Sequence, residues 1–431
     1  MPTPISTTTC RRYFSGAFLL TACLLLSACS DKPVQAEPSS QAKQPADPAP
    51  AWQPVAKLPR GLIGHAATAT DNRILVTGGI YAKRSLTNPG AGASKDVLAY
   101  DPKADRWDRL AQLPEGRFDH AQTRLPDGRI LIVGGRTLSA NAKRTGLKSC
   151  LYLDPETGQT QPAPELPRAA ARPTLHTLTT ADGEPRIVAI IGRLAAVLKD
   201  DTWDTIRLRH PRNSHAAVPL PNGQLLVIGG TNRDSLELID TESMTSTRLS
   251  VRLPQQLDDH AAVPLSPNRP HHIAVLGGQH SAGGETTDTS SILHAPDGDW
   301  TQATLTPGPS LNVPLGIADH LVVPFTTPAG TAYLLIGGES EHRGKDTELD
   351  LTRILHSHGQ RITPGPQLPR PYDDAAAVVF QEHAYVLGGQ VSGTFLGRPV
   401  PIPVAFAHRI PLSTLNATDA LGDPAQPPPA R

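Results

Sequence analysis

Leu113-Pro-Glu-Gly-Arg-Phe-Asp-His-Ala-Gln-Thr-Arg-Leu-Pro-Asp-Gly-Arg-Ile-Leu-Ile-Val-Gly-Gly135 reads as a polar approach ending in Asp119-His120, then a short strand, a Pro-Asp-Gly turn and an apolar strand closed by paired glycines. Versions of the apolar strand and its glycines recur at Ile74 to Gly79, Leu225 to Gly230, Ile273 to Gly278, Tyr333 to Gly338 and Tyr385 to Gly389. Ile187 to Gly192 is a degenerate copy in which Ile191 replaces the first glycine. Copies lie roughly 40 to 60 residues apart, the period of propeller blades. A Leu-Pro step precedes the pattern at Leu58, Leu113, Leu166, Leu253 and Leu368. A third strand follows the glycines, as in Val97 to Pro102, and a fourth often carries tryptophan, as at Trp107, Trp203 and Trp300. Four antiparallel strands per unit and seven units predict an all-β, seven-bladed ring.

This frame resembles the kelch repeat, which joins an Arg-x-x-His start, a diglycine, a Tyr-Asp-Pro and a spaced tryptophan. Arg117 to His120 with Gly134-Gly135, Arg212 to His215 with Gly229-Gly230, and Tyr100-Asp101-Pro102 with Trp107 carry the resemblance. It covers about residues 52 to 412 and departs from the pattern at Ile191, at Ala375 and in blades without tryptophan. The last unit lacks a fourth strand. Trp52 to Lys57 has the character to supply it, so the ring is expected to be closed by its N-terminal strand, leaving no open edge.

Composition fits this reading. There are 40 basic and 40 acidic residues, so no net field recruits nucleic acid, and 44 Pro with 36 Gly favour short strands over long helices. Residues 1–29 read as an export signal: Arg11-Arg12, an apolar Ala17 to Leu26, then Leu26-Ser27-Ala28-Cys29. The last four resemble a bacterial lipobox, which implies lipidation of Cys29, and Ser30 after it implies the outer membrane. Residues 30–50, rich in Pro, Ala, Gln and Ser, read as a tether, 51–413 as the propeller and 414–431 as a disordered tail. Of the four cysteines only Cys150 remains for the propeller; it lies in a strand-like run and is expected to be buried rather than reactive.

Strand parity sends the Arg-x-x-His approaches and the loops after the glycines to one rim, where function is expected. The repeated histidines, His65, His120, His176, His215, His260 and His320, with Ala375 in the seventh unit, read as structural rather than as a metal ring. The candidate binding residues on that rim are Arg117, Asp119, Arg136, Arg172, Arg212, Asp259, Asp319, Glu341, Arg343 and Asp374. Mixed carboxylates and guanidinium groups suit a polar or zwitterionic ligand. The expected role is a monomeric, non-catalytic binding module for an envelope protein or glycan, with no cofactor and no metal. Two enzyme families with kelch rings set the alternatives. A galactose oxidase-like copper site needs a rim cysteine crosslinked to tyrosine, which Cys150 does not offer. Sialate mutarotases pair a glutamate with an arginine, a pairing that Glu339 and Arg343 resemble, with Glu339 moving a proton and Arg343 holding a carboxylate.

Overall fold

The computed structural model describes residues 50–83, 90–139, 143–266, 269–281, 284–395 and 398–415. The signal, Cys29, all but the last residue of the tether and most of the tail lie outside them. Among the described residues seven antiparallel sheets make the blades of a ring, six of four strands and one, blade 3, of three, and five further two-stranded pairings stand outside them. Blade 2 shows the plan: an inner strand Ala121–Arg124, then Ile130–Val133, Cys150–Leu153 and an outer Thr160–Ala163, each paired with the next. The buried second strand is apolar throughout because both of its faces meet neighbouring blades, so it cannot alternate with polar residues.

Blade 7 takes Ala376–Phe380, His383–Leu387 and Ala407–Pro411 from the end of the chain and Gln53–Pro54 from the beginning. Gln53 pairs with Arg409 and Pro54 with His408, closing the ring as expected. Trp52 confirms that this is a true fourth strand. Its indole donates to Pro366 O of the preceding blade at 3.1 Å. Trp107 and Trp203 make the same stitch to Ala56 O and Pro164 O, both at 2.8 Å. Trp300 differs: it sits in a short 3-10 turn, Trp300–Gln302, ahead of the fourth strand of blade 5.

Among the described residues the buried apolar side chains fall into seven clusters, one for each seam between blades. Leu75, Ile132 and Leu151 join blades 1 and 2, for example, and Val76, Tyr100 and Tyr385 join blades 1 and 7. Each fully buried aliphatic side chain contributes about 1.5–3 kcal/mol, so every seam is a small core of its own. Leu415 is buried against the same cluster as Trp52, so the packed body runs to Leu415, beyond the expected boundary at 413. Cys150 is buried in the seam of blades 2 and 3, and its thiol is pushed up to about 11 by burial.

In blades 1, 4 and 7 the first glycine makes room for a histidine. A β-carbon added at Gly78, Gly229 or Gly388 would lie 2.8, 2.7 or 2.6 Å from Cε1 of His120, His260 or His65, the histidine of the next blade. The second glycine meets its own blade's approach segment. At Gly338, with φ +90°, the added carbon would lie 2.4 Å from Ala318 O. Gly183, with φ +87°, has nothing within 4 Å. Gly183→Ala should therefore cost about 1 kcal/mol for backbone conformation alone, and Gly338→Ala roughly 2–4 kcal/mol because overpacking adds to it. Urea midpoints of the two variants check this; equal losses would show that the close approach does not matter.

Candidate functional site

Seven residues form a ring where the chain enters the inner strands: Gly64, Asp119, Arg172, Ser214, Asp259, Asp319 and Asp374. All have φ between +49° and +61°. The backbone links them from blade to blade. Asp119 N donates to Gly64 O at 2.7 Å, Arg172 N to Asp119 O at 3.1 Å, Asp259 N to Ser214 O at 3.0 Å and Asp319 N to Asp259 O at 3.0 Å. The left-handed turn is why Asp and Gly dominate here, since short polar side chains tolerate that conformation. Each ring residue lies six positions after a buried Leu or Val: Leu58, Leu113, Leu166, Leu208, Leu253, Val313 and Leu368. The constant spacing is the sequence signal for the ring.

The same spacing corrects three expectations. Two residues before the ring stand Leu62, Arg117, Ala170, Arg212, Leu257, Ile317 and Tyr372, all buried. Arg117 and Arg212 are thus not rim ligands: they point into the blade. Arg117 donates to Gly134 O and Ser149 O, each at 3.1 Å, and Arg212 to Gly229 O at 2.6 Å and Ser235 O at 2.8 Å. Both tie the ends of the second and third strands together. One residue after the ring, blade 3 has Pro173. His176 is therefore not the counterpart of His120; it lies in the inner strand, hydrogen-bonded to Thr174 Oγ1 at 2.9 Å.

Hairpins stand on the rim after the glycines in blades 6, 7, 1 and 2. The hairpin of blade 2 is Arg136–Leu138 with Arg144–Gly146, and that of blade 6 is Glu339–His342 with Lys345–Glu348. In blade 3 the run Pro185–Lys199 pairs first with the inner strand, up to Ile190, and then with Thr202–Arg212, from Gly192 (φ +63°) on, with only Ile191 between. The rim is therefore walled on one side of the ring and low on the other.

The hairpins bring Arg136 and Glu339 beside the ring. Arg136 Nη1 lies 3.5 Å and Arg172 Nε 3.7 Å from Asp119 Oδ2. Withdrawal from water works against the charge on Arg172, but Asp119, Asp374, Asp319 and Asp259 together outweigh it and raise its pKa. The carboxyls feel the reverse. Recession from bulk solvent, followed by Asp259, Asp373, Asp374 and Glu339, pushes Asp319 up to about 9, although its side chain still meets water. Glu339 rises to about 8, chiefly through burial and then Asp373, and Asp374 to about 6 for the same two reasons. Asp259 is also raised, by burial first, while the Ser214 hydroxyl and the Asp319 carboxyl share hydrogen bonds with it. Asp373 is raised by burial against the opposing Gln390 amide, which donates to it at 2.7 Å. Six carboxyls and two guanidinium groups thus share one mouth, in which Asp319 and Glu339 hold protons near neutral pH and Asp374 gives its proton up just below it.

Glu341 and Arg343 do not join them. The Gln279 amide donates to the Glu341 carboxylate, a latch between blades 5 and 6. Arg343 stands exposed at the hairpin tip, with φ +54°. Four residues of extended chain separate it from Glu339, roughly 13 Å, so the expected Glu339–Arg343 pair is not formed. No group of three or more His, Cys, Asp or Glu among the described residues has the arrangement to hold a metal ion.

A family model described as Kelch motif matches residues 62–114, from the approach of blade 1 to the Leu-Pro step of blade 2. The chain is a seven-bladed β-propeller that carries the Kelch motif. The kelch ring is 27% identical to beta-scruin of Limulus polyphemus over 234 residues, 51% of this chain and 25% of that protein. It is 35% identical to the N-acetylneuraminate epimerase of Yersinia enterocolitica over 86 residues, 20% of this chain and 22% of that one. The chain thus spans about a quarter of the length of these relatives. A fungal alcohol oxidase of the AA5 family, solved in complex with copper, superimposes with a TM-score of 0.63 at 16% identity, covering 84% of this chain and 76% of that one. That likeness is one of fold. The copper chemistry expected of a galactose oxidase-like ring does not fit here, because Cys150 lies in a blade seam and no tyrosine belongs to the axial ring.

Proposed function

We propose that this kelch ring is a non-catalytic recognition module that takes a cationic or zwitterionic group of an envelope peptide or glycan into its acid-lined mouth. The observation that carries the reading is the axial ring itself: Asp119, Asp259, Asp319 and Asp374 on one circle with Arg172. The carboxylates would receive an ammonium or guanidinium group, and Arg172 a carboxylate or hydroxyl. The one-sided wall of hairpins would hold an extended partner against the mouth. The amino-terminal signal supports anchoring by lipid on Cys29 to the outer membrane, facing the periplasm; release from the membrane fraction on Cys29→Ala would bear this out.

Calorimetry with a panel of lysine-containing peptides and amino sugars tests the mouth. Binding should weaken roughly tenfold in Asp319→Asn/Asp374→Asn, the loss of about one charge-assisted contact. It should also weaken as pH falls through about 6, where Asp374 takes up its proton. An affinity unchanged by the double substitution would sink the reading.

A second reading rests on a specific observation. Glu339 and Asp374, at about 8 and about 6, bracket neutrality in the mouth that holds Arg172. A carboxyl poised there is suited to moving a proton in a sugar epimerisation, and the partial similarity to an epimerase points the same way. In this version the guanidinium partner is Arg172 instead of Arg343. Faster anomer exchange by NMR, abolished in Glu339→Gln, would favour it over simple binding.

A further inference from the structure

We infer that the low side of the ring carries a second site, a basic recess between blades 3 and 4 that takes a phosphate- or sulfate-class oxyanion. The recess, of about 460 Å³, is lined by Arg193, Arg207, Leu208, Arg209 and Ser246. It arises from an irregularity in blade 3. Arg207 pairs with Leu194 but Arg212 with Gly192, so residues 208–211 bulge from the fourth strand. Leu208 fills the seam, and Arg207 and Arg209 on either side of it stay exposed. Arg193 follows Gly192 immediately, and its guanidinium donates to Arg209 O, which brings it over the bulge.

The electrostatics leave these guanidinium groups open. The acid beneath the recess, Glu237, is fully buried and already engaged by Arg212 Nη2 at 3.1 Å, Arg209 N at 2.6 Å and Ser246 Oγ at 2.5 Å. Among the described residues no ion pair includes Arg193, Arg207 or Arg209, although other exposed arginines such as Arg124 and Arg252 have carboxylates at 2.6 and 2.9 Å. The neighbourhood is positive enough to act on His210. Its pKa is lowered by burial first and then by Arg233, Arg212 and Arg193, despite Glu237. Three forked donors around one concavity match a tetrahedral oxyanion, which accepts two parallel hydrogen bonds from each guanidinium. Glu237 holds the two sides of the recess in place, so little ordering is needed on binding.

Titration of the full chain with inorganic pyrophosphate, followed by calorimetry, tests the site, with vesicles containing phosphatidylglycerol as a parallel arm. Saturable pyrophosphate binding is expected, weakened at least about tenfold in Arg193→Gln/Arg209→Gln and strongly reduced at 0.5 M salt, where screening is short-ranged (about 10 Å already at 0.1 M). Both positions are exposed, so the variant should keep the wild-type melting temperature, which separates lost binding from lost folding. Binding to vesicles alone, lost in the same variant, would assign the oxyanion to a lipid headgroup. No binding in either arm, or an affinity the variant leaves unchanged, would overturn the inference.

Discussion

Between pH 6.5 and 4 the protein is expected to lose several kcal/mol of stability, well before its surface carboxylates are protonated. The cause is the set of buried histidines that open the inner strands. Burial lowers His65, His260 and His320 to about 4 and His120 to about 3, and holds His215 well below the usual value. In the unfolded chain these imidazoles titrate near 6.5, so below that pH the unfolded state binds protons that the folded state refuses. Stability is therefore complete above about 6.5 and falls as pH drops toward the folded values. At about 1.4 kcal/mol per pKa unit, each histidine can withdraw on the order of 3 kcal/mol. The mouth acts with the opposite sign. Asp319, Glu339 and Asp374 bind protons more tightly when folded, so their contribution is present at low pH and is lost as pH rises through about 6 to 9. Melting temperature should thus peak near neutrality or slightly below. His260→Gln should flatten the acid arm and Asp319→Asn the alkaline one. An acid arm that begins only near pH 4 would refute the account.

Glu237→Ala should cost about 3–5 kcal/mol, the range for removing one member of a buried ion pair. Glu237 and Arg212 are both inaccessible to solvent, and the carboxylate also holds Arg209 N and Ser246 Oγ. Without it Arg212 keeps its bonds to Gly229 O and Ser235 O but buries an uncompensated charge. The control is Glu115→Ala. Glu115 is the carboxylate beside the equivalent Arg117, but it is 41% exposed and 3.8 Å away, so its loss should cost at most about 1 kcal/mol. Urea midpoints of the two variants distinguish a buried pair from a surface one, and similar losses would show that burial is not what matters.

The ring, its seven blades and its closing strand were legible because diglycines, turns and Leu-Pro steps repeat, and repetition separates pattern from accident. The site was only partly so. Asp119, Arg172, Asp259, Asp319 and Asp374 were recognisable as rim residues, and the structure brings them together. Arg117 and Arg212 were misread because charge suggests solvent, whereas their position is apolar in the other five blades; carbonyls left over at the strand ends make a buried guanidinium tolerable there. His176 was misplaced because blade 3 carries Pro173 where a histidine was sought. Glu339 was read with Arg343, a partner near in sequence, but a hairpin separates residues that a helix would have joined. The basic recess had no motif at all, since it depends on a bulge that only the pairing register reveals.

The pairing of Gln53 with Arg409 also sets an order on biogenesis. The strand that leaves the ribosome first finds its partner only when nearly the whole chain has been made. Until then Trp52 has no complete seam to enter, and the nascent protein is an open arc with two unsatisfied ends. Closure is a late, long-range step, slow by virtue of the chain length it spans. A chain cut short by a few dozen residues would lose more than its last blade: it would leave the arc open, with both terminal faces free to pair with another copy.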